Sequence, residues 1–597
     1  MNIKKRLLST LAMAFIASAL LSSCGGGGAS TNSTNAPTQT TEVQTAGNDI
    51  SSESASNDAS TAEPSPMTIE VYSQPANFQG EQPGWTGKML KDKFNVTLSI
   101  IAPQAAGGDI FAARSAAGFL GDIVILDNAD IQSCIKSGLI YDFTKEMETF
   151  QSFDEYKKQL DYYNSSLEGV SPGEYYAWPT EMTNTSPTSF SPTLPGVPGV
   201  APTVPWDYFR EIGAPQLKNL TDLIAALKQM QDNHPTNEAG DPSYGITLWP
   251  DWDGTSIENV NQLTKWYGQE VNGSILLDTE GNMTELTDDS GAYKKILQFY
   301  FDANNAGVVD PDSGTQNWDS VNSKFNSKRA FLIWNDWQQG FWNTSARGEG
   351  GENYIMAPVD DMSIYQPSDS FYGSGRAFAC GTDDTEKKER VRILLDWMSS
   401  PDGLETIHGG IYGFNYVNAP DGGYDQTVEG ESALMNNSPV PDEYGGGLYA
   451  DGMLQVNQWM ASAVAINPKT GESYDPRRWT TTVEKGKSTT SREWVERYGE
   501  ENPVAYLEKA GQLRVVPFVN VNLVPDTSDI SVIRTSCGPL VCDASWKMIF
   551  ARDQAEFDSI WETLKTDLEG FGWKELVQFD KDKYKALVDE RTKALAQ

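Results

Sequence analysis

The first foldable stretch of the chain alternates strand-like and helix-like segments. MTIEVYS, from Met67, has the pattern of a β-strand, and GWTGKMLKDKFNVTLSII, from Gly84, predicts a helix followed by a second strand. GDIVILDNADIQSCIKSGLIYDF then predicts a buried strand over Ile123–Leu126, a polar loop over residues 127–130 and a helix ending near Gly138. This alternation predicts an α/β fold with a mainly parallel sheet and ligands at the carboxyl ends of its strands.

The N-terminus has the features of an export signal. Lys4, Lys5 and Arg6 precede an apolar run from Leu7 to Leu21, which is too short and wrongly flanked to be a spanning helix. The following LSSC resembles the lipobox of bacterial lipoproteins, which implies removal of residues 1–23 and a diacylglycerol on the Cys24 thiol. An ordinary secreted protein with a chance cysteine is the alternative.

Residues 24–66 form the expected tether. Gly25 to Pro66 contains no Lys, Arg or aromatic residue and is mostly Gly, Ser, Thr, Asn and Ala, so it cannot bury enough apolar surface to fold. As a flexible coil it would span roughly 35 Å, enough to hold a globular body off a membrane. Residues 67–597 are long enough for two or three packed domains, and they contain no second apolar run of spanning length.

The charge balance excludes two classes of partner. The chain has 82 Asp and Glu against 45 Lys and Arg, a formal net charge of -37, whereas nucleic acids and anionic lipids require a basic footprint. We expect no nucleic-acid partner.

Two other features leave alternatives open. SPTSFSPTLPGVPGVAPTVPWD, residues 186–207, has six prolines and is expected to lack regular structure, as a domain crossing or a surface insertion. The remaining cysteines are either buried thiols or bridged in an undetermined pairing: Cys134, Cys380, Cys537 and Cys542.

Motifs for catalysis or metal binding are weak. GVSPG, residues 169–173, matches G-x-S-x-G, but Pro172 has no backbone N–H to donate to an oxyanion, which favours a simple turn. DTEGNMTELTDD, from Asp278, approaches a calcium loop but has Met283 in the glycine position, which favours a hairpin turn and leaves calcium binding open. The chain has only two histidines, which disfavours a catalytic triad or a histidine-rich zinc site. We expect no catalytic residue, metal site or cofactor.

Five segments in order carry a family resemblance. GDIVILDNADIQSCIKSGLIYDF, DYFREIGAPQLKNLTDLIAALKQM, KFNSKRAFLIWNDW, ERVRILLDWMSSPDGLETIHGGIYG and the C-terminal tail from Ser545 resemble the bacterial extracellular solute-binding proteins of ABC importers. The likeness is to the carbohydrate-binding family 1, which includes maltose-binding protein, and to its LplA-like lipoprotein branch.

The resemblance implies a two-lobed periplasmic-binding-protein-like fold with a hinge and an interlobe ligand cleft. It places residues 67–190 and 343–382 in one lobe and residues 206–342 and 383–597 in the other. It also implies an ABC permease as partner, attachment to the membrane through the N-terminal lipid, a position on the extracellular face of the cell membrane and a monomeric state.

Aromatic residues beside carboxylates and amides are the candidate ligand contacts. FLIWNDWQQGFW, residues 331–342, has five aromatic rings in twelve residues. A pyranose has an apolar C–H face and a rim of hydroxyls, so it favours a flat ring beneath and polar groups at its edge. The alternative for each ring is a place in the core. The candidates are Tyr72, Gln74, Trp85, Asp127, Asn128, Asp130, Trp178, Trp206, Asp207, Trp249, Asp251, Trp252, Trp334, Asn335, Asp336, Trp337 and Arg376.

The sequence therefore predicts a lipid-anchored substrate-binding protein that captures an oligosaccharide for an ABC permease and is not an enzyme. Two alternatives stay open. One is a surface glycoside hydrolase that uses the same aromatic subsites and two cleft carboxylates. The other is a peptide-binding ABC receptor, because the same fold also accepts peptides.

Overall fold

The computed structural model describes residues 65–103, 110–192, 194–420, 422–521 and 523–596. The tether, the export signal and Cys24 lie outside these ranges. The described residues belong to one compact unit that begins at Pro64.

The strands are short and distributed over most of the chain. They are β1 (Met67–Ser73), β2 (Gly80–Glu81), β3 (Val96–Ile101), β4 (Ile123–Asp127), β5 (Ala177–Pro179), β6 (Val200–Pro205), β7 (Gln269–Asn272), β8 (Ile275–Asp278), β9 (Met283–Glu285), β10 (Ile333–Asn335), β11 (Tyr354–Met356), β12 (Ile364–Pro367), β13 (Arg376–Cys380), β14 (Tyr416–Asn418), β15 (Tyr424–Gln426) and β16 (Leu513–Val516).

Helices fill the intervals and the C-terminal region. The α-helices are Gly84–Phe94, Ile110–Ala116, Asn128–Lys136, Thr144–Met147, Phe153–Ser165, Trp206–Glu211, Leu220–Asn233, Glu258–Thr264, Ala292–Asn305, Trp318–Asn326, Ser345–Glu349, Thr385–Ser399, Pro401–Gly409, Val428–Asn436, Tyr449–Gly452, Thr480–Lys485, Thr489–Tyr498, Pro503–Lys509, Ser528–Ile549, Gln554–Gly570 and Trp573–Ala596. Shorter 3-10 helices span Asp336–Phe341, Asp442–Tyr444 and Pro476–Arg478.

Two sheets matter for the site. The first sheet has the order β2-β3-β1-β4-β13-β5, with β1 parallel to β3 and β4, and with β13 antiparallel to β4 and β5. The second sheet has the order β10-β6-β11, with both outer strands antiparallel to β6. The predicted βαβ opening and α/β class are confirmed, and the parallel strands are those predicted at the start of the body.

Two hydrophobic cores correspond to these sheets. The first core combines the first sheet with helices that follow β13, through residues such as Val71, Phe378 and Leu394. The second core combines the second sheet with the middle and C-terminal helices, through residues such as Val204 and Trp561. The fold is therefore a two-lobed α/β arrangement in which each lobe has its own sheet.

The cores divide the chain differently from the predicted lobes. Val391, Leu404 and Tyr474 belong to the first core, although residues 383–597 were all expected in the other lobe. Tyr354 and Ile364 belong to the second core, although residues 343–382 were expected in the first lobe. The reason is that β13 inserts between β4 and β5, and the helices after it cover the sheet that it has joined.

The proline-rich segment is partly regular, which corrects the prediction that residues 186–207 lack regular structure. β6 occupies Val200–Pro205 at the centre of the second sheet. Pro202 cannot donate a backbone hydrogen bond, but its carbonyl accepts one from the Ala357 N–H at 2.9 Å. The register of β10 against β6 shifts between Ile333 and Asn335, so an irregularity accompanies the proline in this part of the ladder.

Other local predictions have clear outcomes. The Asn219 side chain accepts from the Thr221 and Asp222 N–H groups and caps the helix Leu220–Asn233. The four described cysteines are free thiols, three of them buried. Of the two alternatives for these cysteines, thiols or disulfide bridges, this structure therefore shows thiols.

Candidate ligand cleft

Polar side chains meet at one edge of the first sheet. β1 and β4 end there, and β13 begins there because it is antiparallel to β4, which places Arg376 opposite Asp127. Gln74 links the loops, since its Oε1 accepts the Asp127 N–H at 2.6 Å and its Nε2 donates to Asp130 Oδ2 at 2.5 Å. Arg376 Nε lies 2.7 Å from Asp127 Oδ1 as an ion pair. Four predicted residues are thus confirmed as neighbours, although their role in binding stays a prediction.

The helix that follows β4 begins earlier than expected. Asn128 and Asp130 lie in its first turn and not in a loop. Asn128 Oδ1 accepts a hydrogen bond from the Tyr163 hydroxyl at 2.8 Å, and its backbone N–H donates to the Gly375 carbonyl. The early helix start holds these two side chains rigidly at the sheet edge.

Glu181 belongs to the same edge and escaped the sequence prediction. It follows β5, its φ is +55°, and its Oε1 accepts from Gln458 Nε2 at 2.8 Å. Burial raises the pKa of the Glu181 carboxyl, and the charge of Arg376 opposes that rise. No sequence pattern marks Glu181, because Gln458 reaches it from a distant part of the chain.

The second sheet presents Asn335 and Asp336 at one of its edges. β10 ends at Asn335, which is paired with Val200 at the start of β6. The Asp336 N–H donates to the Gly199 carbonyl at 3.1 Å. The 3-10 helix Asp336–Phe341 begins directly after this strand.

These two edges flank the segments that connect the lobes. Residues 180–199 leave the first sheet beside Arg376 and enter the second sheet beside Asn335. Residues 368–375 return to the first sheet at Arg376, with Gly373 at φ +93° and Gly375 at φ +97°. Both polar edges therefore lie next to the crossing segments, which is where a cleft between two lobes opens.

A cluster of aromatic rings adjoins the edge of the second sheet. We call it the tryptophan cluster, and its members are Trp249, Trp252, Trp318, Phe325, Trp334, Trp337 and Phe341. Trp249 and Trp334 are stacked with ring centroids 5.5 Å apart and planes 8° apart. Both are buried, whereas Trp337 is 40% exposed. Trp337 is thus the exposed member of the cluster, and it packs at an angle on Trp252, Trp318 and Phe341.

Trp334 and Trp337 do not lie on one face of a single helix. Trp334 lies on β10, and Trp337 lies in the 3-10 helix. Gln338 holds the junction, because its Oε1 accepts the N–H groups of Trp334 and Asn335 at 2.9 and 2.8 Å. Gln262 Oε1 accepts from Trp334 Nε1 at 2.6 Å and from Asn335 Nδ2 at 2.9 Å.

Trp318 is a member of the cluster that the sequence did not single out. Its ring centroid lies 4.5 Å from that of Trp252 and 5.7 Å from that of Trp337. Asp251 Oδ2 accepts the Trp318 N–H at 2.7 Å, so the first turn of its helix is tied to the loop that carries Trp252. The Asn317 cap before Trp318 was the available signal, since it fixes where that helix starts.

Asp253 anchors the same loop from the other side. It accepts a hydrogen bond from Trp546 Nε1 at 2.7 Å. Burial raises the pKa of Asp253 to about 6, although the Trp546 hydrogen bond acts in the opposite direction.

Several predicted aromatic residues are buried in the cores. Tyr72 and Trp178 lie in the first sheet with at most 1% of their surface exposed. Trp85 is covered by Tyr449, whose ring is stacked on it at 5.6 Å. These three residues, like Trp249 and Trp334, therefore lie in a hydrophobic core in this structure, which was the alternative to a ligand contact.

Trp206 and Asp207 lie at the opposite end of β6 from Asn335. Trp206 is buried and its Nε1 donates to Glu493 Oε2 at 2.7 Å. Asp207 forms an ion pair with Lys328. Both residues follow the last residue of β6, whereas Asn335 lies beside the first residue of that strand. The length of β6 therefore separates them from the cleft edge.

The structure offers little for metal or membrane chemistry. Within the described ranges no group of three His, Cys, Asp or Glu side chains is placed to hold a metal ion. The Asp278 segment is the predicted hairpin, with Asp278 Oδ1 accepting the N–H groups of Glu280 and Asn282. No helix in the described part of the chain is long and apolar enough to cross a membrane.

Comparison with solved structures identifies the architecture. The substrate-binding protein FusA of an ABC transporter from S. pneumoniae, solved with kestose, covers 87% of this chain and 99% of its own length at 15% identity and a TM-score of 0.50. The chain has the fold of an ABC-transporter solute-binding protein. No family model and no curated protein matches the sequence.

Two structures from Bifidobacterium longum infantis share this solute-binding fold. One is described as an HMO-binding solute-binding protein associated with an ABC transporter, with 13% identity, 87% and 99% coverage and a TM-score of 0.55. The other is described as an extracellular solute-binding protein, with 12% identity, 88% and 99% coverage and a TM-score of 0.52. All three are described as substrate-binding or solute-binding proteins. At these identities the likeness concerns the fold, and the expected fold is confirmed over most of the chain.

Proposed function

We propose that the chain is a lipid-anchored substrate-binding protein that captures an oligosaccharide in the interlobe cleft and delivers it to an ABC permease. The observation that supports it most directly is Trp337, a 40% exposed ring at the sheet edge beside the crossing segments. Asp336, which is 8% exposed, precedes it and would provide carboxylate oxygens for hydroxyls. The cleft performs no chemistry on the sugar.

The two lobes of this proposal follow the hydrophobic cores. Lobe 1 comprises residues 67–182 and 376–474, and lobe 2 comprises residues 200–365 and 489–596. Bound sugar would contact both lobes, with a ring on Trp337 and hydroxyls at Gln74, Asp127 and Asp130. Closure of the lobes would then supply contacts that the open state lacks.

The relatives by fold agree with a glycan ligand. FusA was solved with kestose, and one Bifidobacterium protein is described as HMO-binding. Cys24 in its lipobox-like context supports anchoring at the outer face of the cell membrane. We further propose that the protein works as a monomer, with permease transmembrane subunits as its partners.

The test is titration of intrinsic tryptophan fluorescence with neutral, acidic and amino-sugar oligosaccharides and with mixed peptides. We expect a saturable change with one sugar class. Trp337→Ala should lower the affinity about tenfold, because a lost stacking contact of roughly 1.4 kcal/mol corresponds to that factor. Phe571→Ala, which removes another exposed ring (53%), should leave the affinity unchanged.

Other outcomes would assign the alternatives. Saturation by peptides but by no sugar would indicate a peptide receptor. Release of reducing ends during prolonged incubation would indicate a glycoside hydrolase. For the anchor, Cys24→Ser should move the expressed protein from the membrane fraction to the medium, and persistence in the membrane would contradict lipidation at this residue.

A further inference from the structure

The charges at the two cleft edges are unbalanced. The edge of the first sheet presents Asp127, Asp130 and Glu181, and the edge of the second sheet presents Asp336. Among the residues that the structure describes at the ends of these strands, Arg376 is the one cation. These strand ends therefore carry four carboxyl groups and one guanidinium.

The guanidinium of Arg376 is already engaged. Its Nε lies 2.7 Å from Asp127 Oδ1, and its charge also acts on the buried carboxyl of Glu181. A ligand carboxylate would have to compete with Asp127 for the same cation. It would lose that competition in entropy, because Asp127 is already held by its backbone bond to Gln74.

The other carboxylates favour hydroxyl donors. An ionised carboxylate only accepts hydrogen bonds, so Asp130 and Asp336 suit sugar hydroxyls and repel a second carboxylate. Asp130 Oδ2 accepts from Gln74 Nε2 at 2.5 Å, and Asp336 Oδ1 accepts the Trp337 N–H at 2.7 Å. A carboxylate has about four acceptor sites, so one such bond does not saturate it.

We propose that the cleft selects uncharged oligosaccharides over those that contain uronic acids, and that Asp127 sets this preference by masking Arg376. This inference rests on the proposed function and adds the ligand's charge class to it. Arg376 acts as a positioning group for Asp127 and is not an anion receptor in the native protein.

The test compares matched sugars by calorimetry on the full-length protein. The two sugars of a pair share the same linkage and length, but one is neutral and the other is a uronate. The pairs are β-1,4-mannotriose with trimannuronate, and α-1,4-galactotriose with trigalacturonate. In at least one pair the neutral sugar should bind at least tenfold more tightly than its uronate. Tighter or equal binding of the uronate would overturn the inference while leaving oligosaccharide capture intact.

Asp127→Asn is the decisive variant. It removes the masking charge and keeps a side chain of the same shape, so the preference for the neutral sugar should fall to threefold or less through tighter uronate binding. The double variant Asp127→Asn, Arg376→Gln should restore rejection of the uronate. If Asp127→Asn leaves the ratio unchanged while circular dichroism shows a native fold, Asp127 does not set the preference.

A charge control separates local from global effects. Asp154→Asn removes one exposed carboxylate from a chain whose net charge is -37, and it should not alter the ratio. An equal change in this variant would attribute the preference to overall charge. If neither member of either pair binds and the peptide titration saturates, the proposed function itself fails, and this inference fails with it.

Discussion

At the residue scale, the protein separates rings that stabilise a core from a ring that is open to solvent. Trp249 and Trp334 are chemically the same as Trp337, yet they are at most 1% exposed and bonded or stacked within lobe 2. Burial of a tryptophan contributes several kcal/mol to stability, whereas an exposed ring of the same cluster is open to solvent. Trp337 packs at an angle on Trp252, Trp318 and Phe341, and these contacts constrain its orientation.

Glu405 is a buried carboxyl for which the structure predicts a pH effect. It is 3% exposed, its Oε2 accepts from Asn467 Nδ2 at 2.9 Å, and burial raises its pKa to about 8. Above pH 4.5, the ordinary pKa of this carboxyl, the unfolded chain therefore releases a proton that the folded protein still holds. Wild-type stability should fall between about pH 4.5 and 8, by up to roughly 1.4 kcal/mol per pH unit from this group.

The measurement is urea unfolding of the wild type and Glu405→Gln at pH 5 and pH 8. The glutamine is neutral at both values, so its stability relative to the wild type should increase at pH 8. An unchanged difference between the two proteins across this range would show that Glu405 does not titrate as the structure indicates.

At the element scale, the junction of β10 with the 3-10 helix Asp336–Phe341 positions the cleft residues. Asn335 caps this helix, and Gln338 returns a side-chain bond to the cap residue. The same Gln338 oxygen accepts the Trp334 N–H, so strand end and helix start share one acceptor. The junction thereby places Asp336 and Trp337 together at the edge of the sheet.

Gln338→Ala should loosen this junction. Two buried backbone N–H groups would lose their acceptor, which costs about 1–3 kcal/mol of stability, and the affinity for oligosaccharide should fall because Trp337 is no longer held. Urea unfolding and fluorescence titration measure the two effects. Gln578→Ala, at an exposed position of the helix Trp573–Ala596, serves as the control and should change neither.

At the scale of the whole molecule, two cores meet through the crossing segments and through the C-terminal helix. The Tyr162 ring in lobe 1 lies 4.1 Å from that of Tyr372 in a crossing segment, and the Tyr162 hydroxyl donates to Glu590 Oε2 at 2.8 Å. Glu590 lies on the last helix, whose first residues pack in the second core. The last helix thus connects the lobes.

Ligand binding should stabilise both lobes together. At a free ligand concentration of about 100 times Kd, the bound sugar should add roughly 2.7 kcal/mol to the free energy of unfolding. Thermal unfolding followed by calorimetry should show every transition at higher temperature with the ligand. A shift in one transition, with another unchanged, would mean that the sugar contacts a single lobe.

The sequence by itself determined the class of the fold, because strand and helix periodicities in the first lobe depend on neighbouring residues. It also offered Gln74, Asp127, Asp130 and Arg376 as separate candidate contacts, and the structure brings them together because strand ends of one sheet meet at one edge. Those are properties of local pattern and of general α/β topology.

Only the tertiary structure decided which aromatic rings are buried and which face the cleft. Trp85 is closed off by Tyr449, Trp178 by Met460, and Glu181 is bonded to Gln458, and in each case the partner lies hundreds of residues away in the chain. Burial depends on such distant packing, whereas the residue types alone are equally suited to a core and to a sugar site. The residues that belong to each lobe likewise depend on the return of the chain through β13. The pairing of β13 with β4 and β5 is a long-range contact that no local pattern records.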